Sequence, residues 1–304
     1  MSRRGVMLFA AMSLIWGIPY LLIKVAVVEV GPITLVFLRL AIGTVVLLPF
    51  ALHRRAVVPA LRRWRVLTVY MLVELALPWL LLSDAELRVS SSLAGLMIAA
   101  VPLIGAVLAW FTQRERLGGD RLAGLLVGVG GVGALLGLDL AGGTDLRAIA
   151  ELLLVAACYA TGPVIVTRYL AEVPALGVNV LCLGLGALLY LPFTVPRFPR
   201  HLPEPKVVAA ILVLGVVCTA LAFIGFFALI AEVGPARATV FTYVNPAVAV
   251  TLGVVLLDEP LTTGVLVGFP LVLVGSILAT QRTRPAPRHL AQRVRSTAQL
   301  MISR

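Results

Sequence analysis

The 304-residue sequence is 61% hydrophobic and only 13% charged, with a mean hydropathy of +1.06. Ordinary globular chains hold roughly 45–50% apolar and 25% charged residues, so a soluble enzyme, a disordered chain, a collagen-like fibre and a disulfide scaffold are excluded, and an all-α polytopic membrane protein is left. The net charge of +11 would suggest nucleic acid on a soluble chain, but on a membrane chain it has to be read from where the basic residues fall around the spans.

Ten apolar stretches lie near residues 6–28, 33–52, 66–85, 91–112, 121–138, 148–167, 175–195, 207–230, 236–257 and 262–281. Each approaches the roughly 20 residues that a spanning helix needs. The first follows Ser2-Arg3-Arg4 and runs on to Val28 without a small-residue cleavage site, so it reads as a helix and not a secretory signal. It contains Pro19, and Ser13, Trp16, Tyr20 and Lys24 fall on one of its faces. Lys24, one turn from the end, is expected to snorkel to the interface. The second stretch carries Arg39 and leads into the Arg-rich segment 53–65. The third carries Tyr70 and Glu74 on one face, and the fourth is interrupted by Pro102 and runs toward Glu115.

In the fifth stretch, Gly124, Gly128, Gly130, Gly131 and Gly133 allow close helix packing. Residues 128–133 also match GxGxxG, but without the strand–turn–helix context that a dinucleotide site requires, and the match is set aside. The sixth stretch contains Pro163. The eighth offers Thr219, Phe223 and Phe226 or Phe227, and the ninth aligns Thr239, Thr242 and Asn245 before Pro246. Trp79 and Trp110 near helix ends read as interfacial anchors. Cys158, Cys182 and Cys218, all in apolar runs, read as packing residues. The basic segment 282–304 reads as a disordered tail drawn loosely to anionic lipid.

With the N-terminus cytoplasmic, 18 basic residues fall on the cytoplasmic side, five on the other, and Lys24 and Arg39 within helices. The positive-inside rule therefore favours ten spans in the cell membrane with both termini cytoplasmic. The charge records topology, and no nucleic-acid partner is expected.

Sliding the chain by 144 residues places Pro19 on Pro163, Lys24 on Arg168, Pro102 on Pro246, Glu115 on Glu259, Leu117 on Leu261, Gly124 on Gly268 and Gly131 on Gly275. Each half then holds five helices. Five is odd, so the second half enters the membrane upside down, as in many secondary transporters. The halves are expected at 5–138 and 148–281.

The motifs carrying this register resemble the EamA domain of the drug/metabolite transporter superfamily. They are Ile15-Trp16-Gly17, Phe37-Leu38-Arg39-Leu40-Ala41, and a helix-4 proline followed thirteen residues later by Glu-Arg-Leu, here Val101-Pro102 and Arg114-Glu115-Arg116-Leu117. The second half repeats the last as Asn245-Pro246 and Asp258-Glu259-Pro260-Leu261, but has Ala160 and Thr161 in place of Trp-Gly and no arginine opposite Arg39. The resemblance implies transport of a small metabolite. Family members include exporters of amino acids and carriers of other metabolites, so it leaves the substrate and direction open.

Paired helix-breaking prolines are the best sequence pointer to a site between repeats, and Pro19, Pro102, Pro163 and Pro246 are read as hinges, with simple kinking as the alternative. A charge in the bilayer centre costs about 2.5–3.5 kcal/mol on insertion scales, so Arg39 and Glu74 are expected to face a cavity or each other, as a structural pair or a proton-linked switch. The expected substrate cavity is lined by Trp16, Tyr20, Arg39, Tyr70, Glu74, Phe223, Thr242 and Asn245. Glu115 and Glu259 read as helix-end anchors. No HExxH, GxSxG, Walker or paired-Asp motif is present. The expectation is a secondary transporter, without cofactor or metal, acting by alternating access in the lipid bilayer, with protons as a candidate coupling ion. A passive channel or facilitator and an intramembrane enzyme are the alternatives.

Overall fold

The computed structural model describes residues 2–113, 118–140, 145–234 and 238–280. Glu115 and the basic tail therefore lie outside the described residues. What is described is helical, and nine helices among these residues are long and apolar enough to cross a membrane. They are α1 (Arg3–Val30), α2 (Pro32–His53), α3 (Trp64–Ala85), α4 (Ser91–Phe111), α6 (Leu146–Leu170), α7 (Ala175–Arg197), α8 (Pro205–Val233), α9 (Val240–Leu257) and α10 (Thr263–Thr280). The 22-residue helix α5 (Gly119–Leu140) completes the ten. A short helix, Val57–Leu61, lies in the Arg-rich link between α2 and α3.

Three of the four matched prolines do not sit inside continuous helices. Helix α1 stops at Ile15, passes through a turn at Trp16–Ile18 and restarts with Pro19 in first position. Helix α4 turns at Ala99–Ala100 and restarts at Val101-Pro102. Helix α9 begins as a 3-10 turn, Thr239–Tyr243, and restarts at Asn245-Pro246. A proline in the first turn gives up an N–H that has no intrahelical partner anyway, so these prolines start new helical segments and do not merely kink a continuous helix. Pro163 differs: α6 runs through it as α-helix and then widens into a π turn at Val166–Leu170.

Helices α5 and α10 pack antiparallel along their glycines. A Cβ at Gly131 would stand 2.6 Å from the Val272 backbone nitrogen, and one at Gly275 would strike the Gly128 backbone. A shift of 144 residues carries Gly131 onto Gly275 and Gly128 onto Val272, so the two contacts are one contact seen from each half. Gly124 against Ala279 and Gly268 against Leu135 are related in the same way. Lipid chains are as apolar as leucine, so contact area and close backbone approach hold such a pair.

The remaining layers follow the same pairing. Helix α2 packs on α7, where Gly186 meets Leu40, and on α8, where Gly43 meets Thr219. Helix α3 packs on α6, and α1 on α8. The first half of α4 packs on the second half of α9, with Gly95 against Ala249 and Gly253 against Ser92. This contact lies on the distal face, the one that carries the α3–α4 and α9–α10 connections.

Candidate functional site

The broken helices α1 and α9 meet at their breaks. With its amide turned to satisfy both acceptors, Asn245 Nδ2 donates to the Ser13 carbonyl at 3.1 Å and the Phe241 carbonyl at 3.0 Å. It thereby binds a residue from each helix stub, and a Cβ at Gly17 would stand 2.5 Å from Val248. Trp16, the C-terminal cap of the first segment of α1, enters an aromatic cluster. Its ring centroid lies 5.0 Å from Phe241, 5.1 Å from Phe226 and 6.2 Å edge-on from Phe223. Phe223 and Asn245 are thus gathered around Trp16, and Tyr20 follows one turn along α1, buried against Gly95.

Arg39 is buried, and it does not pair with Glu74. Its guanidinium carbon lies 3.7 Å from the centroid of Trp79, and its Nε donates to Thr219 Oγ1 at 3.0 Å. That hydroxyl donates to the Leu214 carbonyl at 2.8 Å, the five-residue reach that the π turn Val213–Leu221 of α8 makes possible. Cation–π stacking takes the place of an anion here because guanidinium is weakly hydrated and flat. Trp79 is accordingly buried within the bundle, a correction to its reading as an interfacial anchor.

Glu74 stands in a second π turn, Leu72–Ala76 of α3. Its Oε2 is buried without a hydrogen-bond partner, and the carboxylate lies against Gly162 of α6, with Cδ 2.8 Å from where a Cβ would be. The wide turn brings residues five apart toward one face, so Glu74 and Trp79 both address α6, roughly 7 Å apart along α3 at about 1.5 Å per residue. Tyr70 lies one turn below Glu74, partly buried. The result is a cation and a carboxylate in the interior with no ion pair between them among the described residues.

Lys24 does not snorkel. Its ammonium donates to the Glu86 carbonyl at 2.5 Å and the Val89 carbonyl at 2.7 Å, tying α1 to the α3–α4 connection. Beside it, Glu259 accepts from the Ser91 and Ser92 backbone nitrogens at 2.7 and 2.9 Å, and from Ser92 Oγ at 2.6 Å, clamping the N-terminus of α4. A carboxylate is favoured there by free N–H groups and the helix dipole. Burial by itself would raise the Glu259 carboxyl, but the hydrogen bonds from Ser92 and Ser91 outweigh it and hold the acid below its usual range. On the same face Arg88 meets Asp84 at 2.8 Å, Asp145 at 3.2 Å and Glu151, and Arg147 meets Glu151 and Asp84. The network joins α3 to α6.

Of the residues expected in one cavity, the structure gathers Trp16, Phe223 and Asn245 in one group and places Tyr20, Arg39, Tyr70 and Glu74 in the adjoining bundle interior. Thr242 is exposed. Open recesses of about 350 and 340 Å³ lie at Val28–Thr34 and at Arg62–Val66, away from all the candidate residues. The sequence reading missed Glu86, which is fully buried with both carboxylate oxygens unpartnered. It follows the third apolar stretch directly and has the look of a connection. Its burial comes from α1 packing across it, a tertiary fact with no local pattern.

The sequence signature of the EamA-like transporter family matches residues 3–137 and again 146–281. The chain belongs to the EamA-like transporter family. It is similar to the uncharacterized transporter YvbV of Bacillus subtilis, with 22% identity over 93% of both chains. An uncharacterized transporter of Archaeoglobus fulgidus is 24% identical over 88% of this chain and 95% of its own. The uncharacterized inner membrane transporter YedA of Escherichia coli is 28% identical over 83% and 82%. A crystal structure with 23% identity superposes at a TM-score of 0.65, covering 92% of this chain and 97% of that one, and so shares its fold. This EamA-family chain is a multi-pass membrane transporter built from two repeats.

Proposed function

We propose that this EamA-family transporter is a secondary transporter that exports amino acids or related small metabolites from the cytoplasm by alternating access. Its halves would be residues 5–138 and 148–281, with both termini and the 282–304 tail cytoplasmic in the cell membrane. The observation that carries the substrate class is the separation of Arg39 from Glu74. An α-amino acid holds its ammonium and carboxylate on one carbon, and two charge-assisted hydrogen bonds of about 2.8 Å added to that spacing bridge roughly 8 Å. The axial rise from Glu74 to Trp79, on which the Arg39 guanidinium stacks, is of the same order, about 7.5 Å at 1.5 Å per residue. Arg39 has one hydrogen bond to the protein among the described residues, through Nε, which leaves both terminal nitrogens to receive a carboxylate. Tyr20, Tyr70 and the Trp16–Phe223 cluster supply apolar walls with hydroxyl edges, the usual make-up of a small-ligand site.

Alternating access draws support from the helix breaks. Turns interrupt α1 and α4 near their middles and α9 in its first third, where one part of a helix can tilt against the other. The distal face is latched by Lys24 and Glu259, which corresponds to a state closed toward the outside. A growth screen tests the substrate class: a strain overexpressing the chain should tolerate toxic amino-acid analogues, and Arg39→Ala should abolish the protection. Tolerance unchanged across the panel, or equal with Arg39→Ala, contradicts it.

A further inference from the structure

Glu86 is the most completely buried acid in the described structure, at 0% exposure, and neither of its carboxylate oxygens has a hydrogen-bond partner. An ionised carboxylate in that setting costs far more than a neutral acid. The geometry around it agrees. Lys24 is close enough to donate to the Glu86 backbone carbonyl, yet its ammonium is spent there and on Val89. The groups that act on Glu86 are Lys24 and Tyr20 from α1, Arg39 from α2, and Glu259 beyond α9. Burial holds its carboxyl well above the usual range, with Lys24 and Arg39 opposing and Glu259 adding to the rise.

We infer that Glu86 is a proton-binding site that locks the distal latch: the α3–α4 connection closes under Lys24 and Glu259 only with Glu86 protonated, and opening the latch ionises it. The inference concerns access to the site and not the substrate, so it stands apart from the assignment of Arg39 and Glu74. A group whose affinity for protons is higher in the closed state stabilises that state at low pH. This stabilisation is complete below the ordinary carboxylate value of about 4.3 and is lost as pH rises through the raised value. Between the lowered value of Glu259 and the raised value of Glu86, falling pH therefore favours closure and rising pH favours opening.

Hydrogen–deuterium exchange of the full chain in lipid nanodiscs tests this, reading the amides of Ser91 to Ala94 after correction for intrinsic rates. Between about pH 5.5 and 8.5, spanning the gap above a free carboxylate, the wild type should lose at least tenfold of its protection. Glu86→Gln should stay protected throughout, and Glu74→Gln should respond like the wild type. Because Glu86→Gln could fold poorly, infrared difference spectra give a second reading. A carboxylic-acid C=O band should disappear over the same pH range and shift in Glu86→Asp. An identical pH response in Glu86→Gln, protection that grows with pH, or no titrating band that shifts in Glu86→Asp would overturn the inference.

Discussion

The Glu74 carboxylate fills the space in which a side chain at Gly162 would stand. The glycine one residue before Pro163 thus permits an acid from the first repeat to lie against the backbone of the second. Gly162→Ala should leave the fold intact, because the obstructing atoms are the flexible end of Glu74, but it should swing the carboxylate away. Loss of one charge-assisted hydrogen bond to substrate is worth about 1.5–3 kcal/mol, so substrate affinity should fall by roughly tenfold to a hundredfold. Thermal unfolding and substrate binding measured side by side check both halves of this expectation.

Arg39 depends on being flat. Lysine keeps the charge but loses both the stack on Trp79 and the fork that receives a carboxylate. Arg39→Lys should therefore weaken binding nearly as much as Arg39→Ala. Thr219→Val, which removes only the Nε acceptor, should cost about 1.5–3 kcal/mol. A titration of each purified variant with one transported amino acid distinguishes a guanidinium-specific site from a point charge.

The α5–α10 seam should discriminate sharply among its glycines. A Cβ at Gly275 meets backbone of Gly128, which cannot move aside, so Gly275→Ala should destabilise by about 1–3 kcal/mol. Gly130 faces open space, and Gly130→Ala should be neutral or stabilising by up to about 1 kcal/mol. Unfolding temperatures in one detergent give the comparison.

The Glu259 clamp should weaken in acid. Its carboxyl lies below the usual range, so the cap on α4 is present at neutral pH and is lost as pH falls through that lowered value. Glu259→Gln should mimic the loss at all pH values. A cap is worth about 0.5–2 kcal/mol, so the population open on the distal face should rise by roughly twofold to thirtyfold. Labelling of a single cysteine placed at Ser90 with a membrane-impermeant thiol reagent reads that population.

Those elements show where sequence reasoning reaches and where it stops. The 144-residue register was legible because a glycine face is a direct requirement of backbone contact, and Gly131 and Gly275 keep it visible among interchangeable apolar residues. Pro19, Pro102 and Pro246 were legible as interruptions, although whether a helix kinks or restarts depends on the turn before each proline. The separation of Arg39 from Glu74 was not legible. Axial level alone makes them plausible partners, and it takes the π turn of α3 to present Trp79 to the guanidinium. Lys24 and Glu86 were misread or missed for the same reason, since each is placed by a helix distant in sequence.

A substrate with both an ammonium and a carboxylate is expected to bridge Glu74 and Arg39 during alternating access. Counterflow in proteoliposomes tests it most directly: full-length chain, one unlabelled amino acid inside, the same amino acid radiolabelled at trace concentration outside. Label should accumulate transiently in a way that depends on the internal amino acid, is absent with its amide-capped, N-acylated analogue inside, and is lost in Arg39→Ala and Glu74→Ala. Equal accumulation in those variants, or no counterflow across the common amino acids while ionic currents flow, would contradict it.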